Sequence, residues 1–562
     1  MPVGTTDLTM RSLHVSHLML LVFLLTSVAR SATVLGRNVD SNNTSVQDLD
    51  IERAAEIRDA FKFAMDGYFE YAFPNDELRP VNNTGDSNRV YGCGWGLSVV
   101  DALDTAIIME LDEIVDRSLK FIDTIDFTRT PTDNACRLFE VNIRYLGGLL
   151  SAYDLLQGPF SHLNKNASRL LEQAQSLADT FSYAFSTPTG LPRRNLYLNN
   201  QSYEVTDDSD LTNPAEAGTL ILEWTRLSDL TGLPQYESLA RRAEGKLMQP
   251  RNPSVGEPFP GLIGISINVL NATFTSSFGG WIGALDSYYE YLIKMYSYAP
   301  DRFDSYKQEW VKAAESTIRY LDSHPTTAPE VTWLTEYNIT GTNGSRYLIP
   351  QSQHLTCFSG GNFILGGVAL EEPRYVDYGL ELSQGCQQIY KTATKLGPND
   401  WAWLDSKIDN SSSQVRPVPE DQTDFYEQTG FFITGQTSAI GAEALESWYY
   451  AYLATDDRQW LDYIWDYFVS IQTYLKIGSG YSPILDVNNA TLPPESIPPS
   501  ANATGLLSRY ENLQPSFFLA ETLKYQYLAH RPDISRRTRF EPQFEAYDEI
   551  IGKISIVGLS GS

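Results

Sequence analysis

The stretch LFEVNIRYLGGLLSAYDLL, residues 138–156, decides how the rest of the chain is read. It is apolar almost all the way round a helix, which marks a buried element. Yet Glu140 and Arg144 stand four residues apart in it, followed by Gly147, Gly148 and Ser151. Helical geometry puts these five on one narrow stripe. Two readings are open. The stripe is a solvated face with an exposed ion pair, worth under about 1 kcal/mol. Or it faces a buried cleft, where the glycines let something approach closely.

Other apolar helical patterns repeat the anomaly. GWGLSVVDALDTAIIMEL carries Asp101 and Asp104, and PAEAGTLILEWTRLSDLTG carries Glu216 and Glu223. WIGALDSYYEYLIKMY carries Asp286 and Glu290, AIGAEALESWYYAY carries Glu443 and Glu446, and FFLAETLKYQYL carries Glu521. Each acid lies near the start of its apolar run. If the helices ring a common axis, their first turns converge on one pocket. Buried carboxylates without partners are expensive, so such a pocket needs cations, hydroxyl donors or a metal ion. A sugar supplies hydroxyls, calcium supplies charge, and two carboxylates flanking a glycosidic bond are the equipment of glycoside hydrolysis.

No competing constellation is present: no G-x-S-x-G nucleophile elbow, no H-E-x-x-H, no phosphate-binding glycine loop. Of the 6 histidines, His14 and His17 fall in the N-terminal leader. His354, in QHLTCFSGGNF, reads equally as a catalytic residue or as a structural one beside Cys357.

Composition sets the frame. The 562 residues are 42% apolar and 12% aromatic, enough for one large core or several ordinary ones. A formal charge of −28 excludes nucleic acid and anionic membrane as partners. Leu18 to Leu25 is too short to span a bilayer and is followed by the small residues of Ser27 to Ala32. Residues 1–32 therefore read as a signal peptide, with an uncleaved signal anchor as the alternative. N-x-S/T sequons at Asn42, Asn43, Asn82, Asn166, Asn200, Asn271, Asn338, Asn343, Asn410, Asn489 and Asn502 agree with a glycosylated protein of the secretory pathway. It is expected to be secreted, with the ER or Golgi lumen as the alternative. The 4 cysteines, Cys93, Cys136, Cys357 and Cys386, allow two disulfides in three connectivities. Residues 33–50 are polar and aperiodic, a disordered lead-in. From residue 51 to 530, long helical patterns alternate with Gly, Pro, Asn and Ser loops. Nothing splits this span, and no strand–helix alternation suggests a parallel sheet. An all-α domain of paired helices, closed into a ring with short β hairpins in its loops, is expected.

These motifs resemble the class I α-1,2-mannosidases, glycoside hydrolase family 47, closest to the secreted fungal members. The likeness covers about residues 51–530 and rests on GWGLSVVDALDTAIIM, LFEVNIRYLGGLLSAYDLLQGP, GTLILEWTRLSDLTG, DSYYEYLIKMY, QHLTCFSGGNFILGG, GAEALES and SFFLAETLKYQYLAH, in family order. It implies an (α/α)7 barrel that removes α-1,2-linked mannose from high-mannose N-glycans with inversion, as a monomer with bound Ca2+. By matching motifs, Glu140 and Asp286 stand on the acid side, with Glu140 the general acid, and Glu443 is the base. His354 joins the catalytic set. Arg144, Glu223, Glu290 and Glu446 contact sugar. Cys357 and Cys386 match the family disulfide; Cys93 and Cys136 are expected to pair with each other.

The chain departs from the family at three places. Leu-Arg-Pro-Glu before the base is here Ile440, Gly441, Ala442, Glu443, and Glu-Ser-Phe before the last helix is Pro515, Ser516, Phe517. The C-terminal Asn-Thr-Glu-Ala-His-Pro segment, whose threonine ligates calcium in the family, has no counterpart in residues 531–562, so the metal ligands are unassigned. These departures carry a second reading: a catalytically impaired relative that binds glycans or serves glycoprotein quality control.

Overall fold

The computed structural model describes residues 42–87, 91–340, 345–410, 412–493, 505 and 508–537. The leader at 1–32, the tail beyond 537 and the sequons at Asn343 and Asn502 lie outside them. The first helix is Asn42–Tyr71. It corrects the disordered lead-in expected at 33–50, whose last nine residues continue a helix instead. Once the apolar repeat beyond residue 53 has met the cost of nucleation, adding polar residues at its N-terminal end is cheap.

From Leu103 on, helices pair and the pairs close into a ring. Leu103–Ile108 packs on Gly147–Gln157, which packs on Ile221–Thr231, followed by Asp286–Tyr298, Phe358–Ala369, Glu443–Thr455 and Leu523–Ala529. The turn Phe518–Thr522, which opens the last of these, returns to Leu103–Ile108. Outer helices pack back on the inner ones: Asp112–Ile122, Ser168–Phe181, Gln235–Leu247, Asp304–Ser316, Pro373–Gln388 and Gln459–Ser470. The expected mostly helical fold of paired inner and outer helices is what the chain adopts. Inner helices have neighbours on every side, hence their apolar surface all round. Trp224, Trp281, Trp310 and Trp448 fill the space between inner and outer layers and are fully buried.

Two elements differ from the apolar pattern. The run 97–121 is three helices, Leu97–Asp101, Leu103–Ile108 and Asp112–Ile122. Glu110, at φ 51°, reverses the chain between inner and outer members. Phe358–Ala369 has no amphipathic signal, because glycines fill it and all its faces are covered. No helix among the described residues is long and apolar enough to cross a membrane.

The sheets are small and antiparallel, and one of them positions the site. Its strands Gln351–Gln353 and Phe432–Ser438 flank Pro398–Ala402. The first strand delivers His354 and the last leads through Gly441 to Glu443. Both disulfides form: Cys357–Cys386, with Cα atoms 5.7 Å apart, joins an inner helix to its outer partner, and Cys93–Cys136 closes at 5.5 Å.

Candidate active site

Several of the carboxylates singled out in the sequence occupy the first turns of inner helices. Asp104, Glu223, Asp286, Glu443 and Glu446 each lie in the first turn of a ring helix, and Glu521 lies in the turn Phe518–Thr522. There the unpaired N–H groups and positive end of the helix dipole favour negative charge. Two of the turns are π-helical, Val141–Leu146 beside Glu140 and Phe518–Thr522. Such bulges recur at functional sites because they re-aim side chains within a continuous helix.

Arg144 is the hub. Its Nε donates to Glu140 Oε2 at 3.0 Å, and its Nη1 lies 3.8 Å from Asp101 Oδ2 and 3.7 Å from Glu521 Oε1. The stripe is therefore buried, and the exposed-ion-pair reading falls. Tyr91 and Phe517 flank the guanidinium on adjacent sides, each ring centroid 5.1 Å away. Arg144 Nη1 is buried and held by its ion pairs with Asp101 and Glu521, with no hydrogen bond among the described residues. Gly148 does not serve ligand approach as expected: a Cβ there would meet Val100 O at 2.8 Å. The glycine lets two helices touch and brings Asp101 within reach of Arg144.

Two lysines, which the sequence reading passed over, complete the floor. Lys524 Nζ donates to Asp104 Oδ2 at 2.6 Å, and Ser151 Oγ donates to the same oxygen at 2.8 Å. Lys294 pairs with Glu290 and lies 3.7 Å from Glu446 Oε1. Lys294 stands four residues after Glu290, a spacing that could have flagged it; Asp104 and Lys524 come from opposite ends of the chain. Acids outnumber cations, so protons take up the balance. Burial pushes Asp101 up to about 6 against the pull of Arg144, and Glu446 up to about 7 against Lys294. Burial also holds Glu521 well above the ordinary carboxylate range.

Glu223 departs from the sugar-contacting place expected of it. It has 0% exposure; Tyr291 Oη donates to its Oε1 at 2.6 Å and Asn142 Nδ2 to its Oε2 at 2.9 Å. Both oxygens are spent on holding three inner helices together.

Glu443 and Asp286 have opposite environments. Burial raises the proton affinity of Glu443, but the hydrogen bond and charge of His354 outweigh it and hold the carboxylate below its usual range. His354 Nδ1 lies 3.0 Å from Glu443 Oε2, and its Nε2 2.8 Å from Tyr390 Oη. Asp286 is pushed up to about 7, first by desolvation and then by the charges of Glu290 and Glu443. A cavity of about 400 Å³ opens onto Glu443 and His354, walled by Tyr91, Gly441, Pro515 and Phe517. The two positions that depart from the family pattern thus border it. Carboxylates with opposite proton affinities beside aromatic side chains are groups that glycoside hydrolysis uses.

Calcium is held by carboxylate, carbonyl, hydroxyl and water oxygens. No three Asp, Glu, His or Cys side chains among the described residues converge as a cage, and the floor acids are already matched by Arg144, Lys294, Lys524 and protons. No step is derived through the ion.

Residues 60–538 match the model of glycosyl hydrolase family 47. The chain is 44% identical over 486 residues to the mannosyl-oligosaccharide alpha-1,2-mannosidase of Penicillium citrinum, covering 86% of this chain and 87% of that protein. It is 45% identical to the enzyme of the same name from Coccidioides posadasii, covering 86% of each. The solved alpha-1,2-mannosidase from Trichoderma reesei superposes with a TM-score of 0.77 at 42% identity, covering 85% of this chain and 93% of that one.

Proposed function

The chain belongs to glycosyl hydrolase family 47, and we propose that Glu443 is the base and Asp286 the proton-holding acid with which it works. It is a glycoside hydrolase that cleaves α-1,2-linked mannose from mannosyl-oligosaccharides. High-mannose N-glycans are the substrate class we assign, met in the secretory pathway. The leader pattern supports that placement, as do the exposed loop positions of Asn82, Asn166, Asn200, Asn271 and Asn489.

The mechanism is supported by the placement of Asp286 and Glu443 in the first turns of two inner helices and by their opposite environments, which hold Glu443 low and push Asp286 up to about 7. Below neutral pH, Asp286 keeps a proton to give to the departing glycosidic oxygen. Glu443 stays ionised to take a proton from the attacking water, and the anomeric centre inverts. Glu140 is hydrogen-bonded to Arg144 at 3.0 Å, which suits it to orienting the guanidinium on the acid side. Arg144 is assigned to sugar hydroxyls. Glu290 and Glu446 lie beneath, shared by Lys294. Calcium dependence is a general property of the family; when bound, the ion supplies positive charge toward sugar hydroxyls.

The impaired, glycan-binding reading is not favoured. Relatives that share over two-fifths of the sequence are named as mannosidases. The test is Glu443→Gln, assayed by release of free mannose from a high-mannose N-glycan. The expected loss is about 10²–10⁴-fold in kcat, with the β-anomer released first by the parent enzyme. Near-normal turnover by Glu443→Gln, or first release of the α-anomer, overturns the assignment.

A further inference from the structure

Glu443 is set in place from two sides. On one side stands the His354 ring, its Nδ1 3.0 Å from Glu443 Oε2. On the other lies Gly441, where a Cβ would sit 2.4 Å from the same oxygen. The carboxylate therefore fills the space a side chain at 441 would take. His354 is itself held from behind, its Nε2 2.8 Å from Tyr390 Oη. The Ser438–Glu443 segment is pinned from the same quarter. Tyr467 Oη donates to Ala439 O at 3.0 Å, and Thr522 Oγ1 donates to Ile440 O at 2.7 Å.

We propose that Tyr390 is a positioning residue of the hydrolysis: its hydroxyl fixes the imidazole of His354, and the imidazole fixes the Glu443 carboxylate over Gly441 in the orientation that receives the water proton. The proposal deepens the assignment of Glu443 as base and rests on it. A hydroxyl on Nε2 sets which imidazole nitrogen faces the carboxylate, and a buried ring with both nitrogens engaged has one orientation. Tyr390 is well placed for this. It is nearly fully buried between Trp448 and Tyr467, with ring centroids 5.1 Å from each, so its hydroxyl cannot wander.

The groups that bear on the charge of Glu443 are His354, Arg144, Asp286, Glu521, Tyr390 and Tyr467. Only His354 among them is hydrogen-bonded to the carboxylate in the structure. Freeing its ring therefore raises the pH at which the base ionises.

The experiment compares the full chain with Tyr390→Phe and Glu443→Ala. Removing only the hydroxyl from a packed ring keeps the fold, which unfolding curves check. Tyr390→Phe is expected to lower kcat on the order of tenfold with KM within about twofold, and to move the acid limb of the kcat profile up by about half a pH unit or more. Tyr390→His, which returns a polar hydrogen near Nε2, is expected to recover part of the loss at the pH where that ring is neutral. A merely structural tyrosine would leave the acid limb where it was and shift thermal stability alone; that result overturns the proposal. Glu443→Ala separates the two failures. If it is inactive while Tyr390→Phe keeps the parent pH profile, the base stands and the positioning role falls. If Glu443→Ala turns over normally, both fall.

Discussion

Position 441 shows how little of a site is carried by the residues that react. In sequence, a glycine where the resembling family motif has arginine reads as a lost sugar contact. In the structure the same glycine is the floor on which the Glu443 carboxylate lies. Gly441→Arg is therefore expected to lower kcat by more than about tenfold and not to tighten mannose binding, because its first side-chain carbon displaces the base from His354. Isothermal titration with mannose beside steady-state kinetics reads both quantities; tighter binding with unchanged turnover would refute this account. A second buried acid lies outside the site. Glu244, on the outer helix Gln235–Leu247, has 0% exposure and both oxygens without hydrogen-bond partners among the described residues, and burial holds it well above 4.5. In the unfolded chain it ionises near 4.5, in the folded chain much later. Stability is thus full below about 4.5 and is lost as pH rises from there. Glu244→Met is expected to stabilise by about 1–3 kcal/mol at pH 8 and by less at pH 5, read from urea unfolding at both. No sequence signal marks Glu244, since its helix is amphipathic and acids are ordinary on such helices.

Among the elements, the helices most legible in sequence are those whose apolar faces alternate with loops. Carboxylates near their starts foretold a convergent pocket because first turns of a ring share one end. Phe358–Ala369 escaped for a physical reason. Gly360, Gly361, Gly366 and Gly367 lower its intrinsic helicity by about 1 kcal/mol each, and its stability comes from neighbours that occupy the missing side-chain volume. Trp310 fills the place of a Cβ at Gly366, and Val376 that at Gly367. Helix approach also explains the opening stripe. Gly148 packs the Gly147–Gln157 helix against the backbone of Val100 and Asp101, and Asp101 faces Arg144 from the helix Leu97–Asp101. Gly148→Ala must push the two backbones apart, since neither is a flexible side-chain end. The expected cost is about 1–3 kcal/mol of stability with a rise in KM, as Arg144 loses one of its anchors. Chemical unfolding and Michaelis kinetics check it, and a variant as stable and as avid as the parent would show that Gly148 has no packing role.

At the scale of the whole molecule, the ring concentrates more carboxylates than cations at one end, and the consequence is thermodynamic. Asp101 at about 6 and Glu223, Asp286, Glu336 and Glu446 at about 7 all bind protons more tightly than they do in an unfolded chain. Between roughly pH 4.5 and 7 the folded state holds more protons than the unfolded one, so stability falls as pH rises through that window. Groups held low act elsewhere: Glu443 and the surface acids Asp126, Asp208 and Asp304 contribute stability that is lost only as pH falls below the ordinary carboxylate range. Surface self-repulsion from the formal charge of −28 adds to the alkaline decline, but salt screens exposed charges and leaves buried ones nearly untouched. Thermal unfolding should therefore give its highest Tm near pH 5 and lose roughly 5 °C or more by pH 8. Molar salt should recover only part of that loss, and Asp286→Asn should flatten the remaining slope. A Tm that rises from pH 5 to 8, or a decline that salt abolishes, would mean that the inner acids do not hold protons in the folded state, and the acid role of Asp286 would go with them.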